Sequence, residues 1–246
     1  AAALVGVIIG VVTLTGVGFK IAYMVTSVAA GWAQSVADGL AFLPFELFSV
    51  NTLTLLFTLI MTAIVCVLMG CGIPTTANYL IMIAVAAPIL SLLGVEPIVA
   101  HFFVFYFGVL ADITPPVALA AYAAAGIAGA NAFKAGNTAF RLGMGKALVP
   151  FVFVFSPSML LVTDSFTWNE FFLATIGAML GIWMLSAAFS SWLFAPLRVY
   201  ERLLLAFADI LFVAPDLYAT LAGAIIVLPV FVRQMMVRGQ ESPSSS

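Results

Sequence analysis

Apolar segments of about twenty residues follow one another along almost the whole chain, and they constrain the fold more than any other feature. Each is long enough to cross, as a helix, the roughly 30 Å of hydrocarbon in a bilayer. Of the 246 residues, 65% are hydrophobic and 7% are charged, whereas a soluble domain carries about 25% charged residues. The sequence therefore predicts an all-α, polytopic helical membrane protein.

The composition also argues against several classes of function. The formal net charge is −2 and no basic stripe is present, so we expect no binding to nucleic acid. Cys66 and Cys71 lie five residues apart in an apolar segment, which indicates neither a disulfide framework nor a metal site. No zinc-protease motif and no phosphate-binding loop is found, so we expect neither an enzyme nor an ATP-driven pump, and no cofactor.

A pair of prolines interrupts the central apolar segment, where residues 108–118 read Gly-Val-Leu-Ala-Asp-Ile-Thr-Pro-Pro-Val-Ala. Pro115 and Pro116 lack amide hydrogens, and proline moves the preceding residue away from helical geometry, so a helix must break near Asp112. Carbonyl groups left without partners at membrane depth cost several kcal/mol each unless something binds them. Asp112 either lines a transport pathway or caps a helix beside the break. Together with Thr114 it is typical of the ion and substrate sites of secondary transporters.

A second interruption separates the apolar segments at residues 52–69 and 79–93. The nine residues between them, 70–78, read Gly-Cys-Gly-Ile-Pro-Thr-Thr-Ala-Asn and carry no charge, although a cytoplasmic loop usually carries Lys or Arg. Two interpretations stay open. The segment is either a tight turn between two complete spans, or the polar tip of a re-entrant hairpin that lies at membrane depth against protein. In the hairpin, Pro74 would begin the second helix.

Oxygen-bearing groups at both interruptions are candidate ligands for a hard cation. Thr114 and the carbonyl groups around Ile113 supply them at the central interruption, and Thr75, Thr76 and Asn78 supply them at the other. We therefore expect the two interruptions to face each other across one ion.

Other segments are assigned from their polarity. We predict a first helix over residues 1–19 and an interfacial helix with a loop, rather than a span, over residues 20–45. His101 is interpreted as a structural residue, with a proton-relay histidine as the alternative. Asp209 is interpreted as a partner of Arg202, two helical turns earlier.

The distribution of Lys and Arg predicts the orientation of the chain in the membrane. Basic residues gather in three connections and are absent from the alternate ones, so the basic connections are predicted to be cytoplasmic. The basic connections are residues 134–146, 198–202 and 233–238, and those without Lys or Arg are residues 94–97, 164–170 and 215–216. The chain starts on Ala1 in apolar sequence without a basic region, so we interpret it as a piece that lacks an N-terminal part rather than as one beginning with a signal peptide.

The sequence around the interruptions reads Leu-Met-Gly-Cys-Gly-Ile-Pro-Thr-Thr-Ala-Asn-Tyr-Leu at residues 68–80. At residues 100–122 it reads Ala-His-Phe-Phe-Val-Phe-Tyr-Phe-Gly-Val-Leu-Ala-Asp-Ile-Thr-Pro-Pro-Val-Ala-Leu-Ala-Ala-Tyr. Both segments resemble the large membrane subunit of tripartite ATP-independent periplasmic (TRAP) transporters, and most closely the fused permeases that work with TAXI-type binding proteins. The resemblance covers residues 1–162. Residues 163–236 are similar to the extra C-terminal transmembrane helices of such fusions, and residues 237–246 form a polar tail.

The resemblance implies an elevator-type secondary transporter with two inverted repeats, each holding a re-entrant hairpin and a broken helix. On this basis residues 1–162 are the second repeat, and the N-terminal half of the permease is missing. Sodium would be the coupling ion. The implied ion- and substrate-binding residues are Gly70, Gly72, Thr75, Thr76, Asn78, Asp112, Ile113, Thr114 and Pro116, of which Gly72, Thr75 and Thr114 are the implied sodium ligands.

The same resemblance implies import of an organic acid anion, such as a dicarboxylate, across the bacterial inner membrane. A periplasmic substrate-binding protein would deliver the anion, and the lipid bilayer would surround the multi-pass permease. Two alternatives stay open: a sodium/dicarboxylate symporter that needs no binding protein, and a structural membrane subunit that does not transport.

Overall fold

The computed structural model describes residues 2–40, 49–163, 166–213 and 217–241. Within these ranges most of the chain is helical, and no β-strand forms apart from an isolated antiparallel bridge between Trp192 and Pro196. Four described helical segments are long and apolar enough to cross a membrane, namely Val50–Gly70, Thr75–Leu92, Ala132–Phe155 and Trp168–Ser190. The predicted polytopic helical membrane fold is confirmed.

The chain forms two compact units, Ala1–Ala120 and Ala121–Ser246. The helices of the first unit are α1 (Ala2–Thr15), α2 (Val17–Leu40), α3 (Val50–Gly70), α4 (Thr75–Leu92) and α5 (Pro97–Ala111), and the unit ends in the first turn of α6 (Leu119–Ala128). The sequence also predicts a boundary between the second repeat (residues 1–162) and the additional C-terminal helices (residues 163–236). The two compact units do not test that boundary, and it stays a prediction.

The boundary between α1 and α2 lies earlier than predicted. Gly16 has a φ of +65°, a left-handed conformation that glycine adopts without steric cost, so α1 ends at Thr15 rather than near residue 19. Lys20 then lies in the first turn of α2, which runs without interruption to Leu40. Any loop within residues 41–48 lies outside the described residues.

Polar residues do not break α2, because they lie on its exposed side. The side chains of Gln34 and Asp38, one turn apart, form a hydrogen bond of 2.8 Å on the helix surface. Ala22, Ala29 and Ala33 recur at helical spacing and are fully buried, and α2 packs through them against α3 and α4.

Three helices of the first unit position the interruptions. The hydroxyl of Ser49 caps α3 by accepting from the amide of Thr52. A tight turn with Gly94 at a φ of +77° joins α4 to α5, and Pro97 is the first residue of α5. The helices α3, α4 and α5 pack against one another, with Leu59, Leu90 and Phe103 among their fully buried side chains.

The second unit contains the rest of α6 and five further helices among its described residues. These are α7 (Ala132–Gly143), α8 (Leu148–Phe155), α9 (Trp168–Ser190), α10 (Val199–Val213) and α11 (Leu217–Glu241), with two short 3₁₀ turns at Met144–Ala147 and Pro157–Leu160. Small residues let α9, α10 and α11 approach closely. An added Cβ at Gly177 would lie 2.7 Å from the carbonyl oxygen of Phe212, and one at Gly223 would lie 3.3 Å from that of Ala208.

The predicted pair between Arg202 and Asp209 is wrong. Nε of Arg202 instead donates to the carbonyl oxygen of Ala188 over 2.8 Å, because the end of α9 lies beside the start of α10. Asp209 is buried in α10, and its Oδ1 atom has no hydrogen-bond partner among the described residues.

Candidate functional site

The central apolar segment is broken where the two prolines predict it. The helix α5 ends at Ala111, and α6 does not begin until Leu119. Between them the carbonyl oxygen of Asp112 accepts from the amide of Ala120 over 3.1 Å, and that of Thr114 accepts from Ala118 over 3.1 Å. These bonds fold residues 112–118 into a compact loop between the two helices.

The other interruption is shorter than the polar sequence suggested. The helix α3 ends at Gly70 and α4 begins at Thr75, so only residues 71–74 lie outside helices. Gly72 has a φ of +84°, which this tight connection requires. Pro74 is the N-cap residue before α4 rather than its first helical residue, because its ψ of 136° is not helical, while its carbonyl oxygen already accepts from the amide of Asn78 over 3.0 Å.

The structure brings the two interruptions into contact. The hydroxyl group of Thr75 donates to Oδ2 of Asp112 over 2.9 Å, and both side chains are half-buried. An added Cβ at Gly70 would lie 2.5 Å from Cβ of Ala111, so the end of α3 packs directly on the last turn of α5. The expectation that the interruptions face each other is met by this geometry.

Asn78 lies inside this contact rather than on its surface. Its side chain is 1% exposed, and Nδ2 donates to the carbonyl oxygen of Cys66 over 3.4 Å. Glycines provide the space, because an added Cβ would lie 2.6 Å from Nδ2 at Gly70 and 3.3 Å from it at Gly108. The Oδ1 atom of Asn78 has no hydrogen-bond partner among the described residues, which leaves a buried acceptor beside the interruptions.

The other predicted ligands differ in whether their polar groups already take part in hydrogen bonds. The carbonyl oxygens of Gly72 and Ile113 accept no hydrogen bond within the described part of the chain. The hydroxyl of Thr114 donates to the carbonyl oxygen of Leu110 over 2.8 Å, which leaves its oxygen lone pairs able to accept or to coordinate. Thr76 and Pro116 are exposed, and neither side chain takes part in the contact between Thr75 and Asp112.

The first turn of α4 adds a feature that the sequence did not reveal. Pro74 has no side-chain hydrogen-bonding group, so no side chain caps the amide groups that begin α4 at the interruption. The N-terminus of a helix carries about half a positive elementary charge, and its free amides bind anions.

A second link between α4 and α5 was also missed from the sequence. The hydroxyl of Tyr79 lies 2.6 Å from Nδ1 of His101, and the two rings are in tilted contact. Tyr79 is one helical turn from Thr75, so this bond supports the position of α4 beside α5. No local pattern pairs residues that lie on different helices, which is why the sequence did not indicate it.

Comparison with known families matches residues 1–168 to the family described as "Tripartite ATP-independent periplasmic transporter, DctM component". The match covers more than half of the 246 residues. The chain belongs to the DctM family. Comparison with curated proteins gave no match, and comparison with solved structures gave none.

Both interruptions lie within the part of the chain that matches the DctM family. Membership confirms the resemblance to the large membrane subunit of TRAP transporters and makes the chain a membrane permease subunit of that transporter class. DctM is one component of a tripartite system, so the family implies a periplasmic binding protein and a small membrane subunit as partners.

Proposed function

We propose that this DctM chain is the permease subunit of a sodium-coupled TRAP transporter that imports an organic acid anion, such as a dicarboxylate. The observation that carries the proposal is the hydrogen bond from Thr75 to Asp112, which joins the two helix interruptions. Secondary transporters bind ions and substrates at such interruptions, because the chain there offers oxygen atoms that are not used by a helix.

Sodium would bind among the oxygen atoms of both interruptions. The carbonyl groups of Gly72 and Ile113 have no other acceptor role in the described residues, and the hydroxyl groups of Thr75 and Thr114 keep lone pairs for a cation. The carboxylate of Asp112 supplies a negative charge next to the ion. Binding of the ion would therefore strengthen the contact between the hairpin and the broken helix.

The length of α5 supports the re-entrant interpretation of α3 and α4. The 15 residues of α5 rise about 22 Å from Pro97, which is less than the roughly 30 Å of hydrocarbon. If α5 starts at the membrane surface, then Asp112 lies inside the hydrocarbon region, and Thr75 lies at the same depth because the two are hydrogen-bonded. At that depth unpaired carbonyl groups are tolerated only when protein or a ligand covers them.

The organic acid would bind at the start of α4. Its carboxylate group would be attracted to the uncapped amides of the first turn, and Thr76 is exposed there with a hydroxyl group that can donate. A sodium ion beside Thr75 would add positive charge, so ion and substrate would bind cooperatively. This coupling would let the sodium gradient drive uptake.

The remaining parts of the proposal follow the family. Residues 1–162 would be the second of two inverted repeats in a TAXI-type fused permease, and the site would move across the bacterial inner membrane by an elevator motion. The periplasmic binding protein would deliver substrate at the connections that lack Lys and Arg. Residues 163–236 would be the additional helices of the fusion.

Uptake by proteoliposomes tests the proposal. The complete permease is reconstituted with and without its periplasmic binding protein, and labelled C4-dicarboxylates are offered under an inward gradient of sodium or of potassium. We expect uptake only with sodium and the binding protein. Uptake without the binding protein would instead identify an independent symporter. Equal rates in sodium and potassium would exclude sodium coupling, and a complete lack of uptake with every labelled anion would favour a structural subunit.

A further inference from the structure

Two arginine side chains from different helices converge on the C-terminal end of α9. Nε of Arg141, in α7, donates to the carbonyl oxygen of Phe189 over 3.1 Å, and its Nη2 lies 3.3 Å from that of Ser190. Nε of Arg202, in α10, donates to the carbonyl oxygen of Ala188 over 2.8 Å. Because Ala188 and Phe189 are consecutive, both guanidinium groups are held at one helix end.

The positive charge at this helix end exceeds the negative charge around it. A helix C-terminus carries about half a negative elementary charge, whereas the two guanidinium groups carry two positive charges. The carboxylate of Glu201 lies next to Arg202 in sequence, but it accepts from the amide of Arg198 over 2.7 Å and forms an ion pair with Arg233. Its charge is therefore already compensated.

The other acidic side chains described in this unit are placed elsewhere. Glu170 lies in the first turn of α9, at the opposite end of that helix, where it accepts a hydrogen bond of 2.8 Å from Ser158. Asp209 is buried two turns further along α10 than Arg202. Among the described residues of this unit, no carboxylate is therefore paired with Arg141 or Arg202.

The arginines retain donors for such an anion. Arg202 uses Nε, and its Nη groups have no hydrogen-bond partner among the described residues. Arg141 is exposed and also keeps N–H groups on Nη1. Planar guanidinium groups bind phosphate through pairs of parallel hydrogen bonds, which makes phosphate the best-matched anion.

Exposed apolar and aromatic side chains around the arginines indicate the source of the phosphate. Trp192 follows the C-cap residue of α9 and is 54% exposed. Val199 and Leu203 are also exposed, at 71% and 67%. In a membrane protein such aliphatic side chains face lipid, and Trp and Tyr concentrate at the level of the headgroups.

We propose that Arg141 and Arg202 together bind the phosphate group of an anionic phospholipid, with Trp192 beside its headgroup. Basic side chains between membrane helices bind anionic headgroups in this way. The site belongs to the second unit, and it is independent of the ion and substrate site proposed at Thr75 and Asp112.

Lipid binding to the full chain in detergent tests the proposal. Binding of phosphatidylglycerol and of phosphatidylcholine is titrated by native mass spectrometry for the wild type and for Arg141→Gln/Arg202→Gln. We expect tighter binding of phosphatidylglycerol by the wild type and a loss of about 30-fold in the variant, from about 1 kcal/mol for each basic residue. Lys20→Gln is the control, because it removes a positive charge from an exposed position of the first unit.

A further variant separates binding from folding, because both arginines also cap α9. Arg141→Lys/Arg202→Lys keeps both positive charges but replaces the planar guanidinium groups with ammonium groups. We expect this variant to fold and to bind phosphatidylglycerol at least 5-fold more weakly. Unchanged affinity in this variant or in the glutamine variant would overturn the proposal. Equal affinity of the wild type for phosphatidylcholine would also overturn it. Displacement of the lipid by equimolar inorganic phosphate would show that the site takes a free anion instead.

Discussion

The hydroxyl group of Thr75 donates a hydrogen bond of 2.9 Å to the carboxylate of Asp112, across 37 residues of sequence. Thr75 is the first residue of α4, directly after the interruption at residues 71–74, and Asp112 follows the last residue of α5 at the interruption with the two prolines. A hydrogen bond to a charged group contributes about 1.5–3 kcal/mol, so this bond is a substantial link between the interruptions.

Loss of a hydroxyl ligand should weaken sodium binding. We expect Thr75→Ala and Thr114→Ala each to raise the sodium concentration for half-maximal uptake by about 5- to 150-fold, equivalent to one to three kcal/mol. Thr54→Ala is the matched control, since Thr54 donates only to the carbonyl oxygen of Val50, far along α3 from the interruption. Unchanged sodium dependence in both variants would remove these side chains from the ion site.

Asp112→Asn distinguishes a carboxylate that lines the transport pathway from one that only caps a helix. The amide oxygen of asparagine can still accept from Thr75, so we expect the stability in detergent to change by less than about 1 kcal/mol. Sodium-driven uptake should nevertheless be lost, because the negative charge beside the ion is removed. A variant that transports normally would show that Asp112 acts only as a helix cap.

Gly70→Ala should separate α3 from α5. The new Cβ would lie 2.5 Å from Cβ of Ala111 and 2.6 Å from Nδ2 of Asn78, and overpacking of this kind costs about 1–3 kcal/mol. Gly31→Ala is the control, because no atom lies within 4 Å of the added Cβ there and alanine favours a helix. The stability of both variants is measured by thermal unfolding in detergent. Equal stability of the two variants would contradict the close contact at Gly70.

Removing one partner of the ion pair between Glu201 and Arg233 should destabilise the protein more than removing both. Glu201→Gln still accepts from the amide of Arg198 but leaves Arg233 unpaired, at 25% side-chain exposure. We expect Glu201→Gln to lower the stability, but by less than the loss of one partner from a fully buried pair. Glu201→Gln/Arg233→Met should recover most of that loss in the same unfolding assay. Equal stability of the single and double variants would contradict the coupling.

Much of the site could be placed from the sequence, because its main determinants are local. Pro115 and Pro116 prevent a continuous helix whatever surrounds them, and the chain breaks there. The boundary at Gly16 was misplaced, because hydrophobicity does not mark a left-handed glycine inside an apolar run. Likewise, helical spacing placed Arg202 near Asp209, but a carbonyl oxygen of the neighbouring α9 binds Arg202 instead.

By itself, the sequence determined that this protein is helical and spans a membrane, and where two of its helices are interrupted. These properties depend on neighbouring residues: long uncharged runs enter hydrocarbon, and proline removes an amide donor. Only the tertiary structure decided that Thr75 meets Asp112 and that Arg141 and Arg202 share the end of α9. Such contacts depend on how whole helices pack against one another, because the residues that meet lie far apart along the chain.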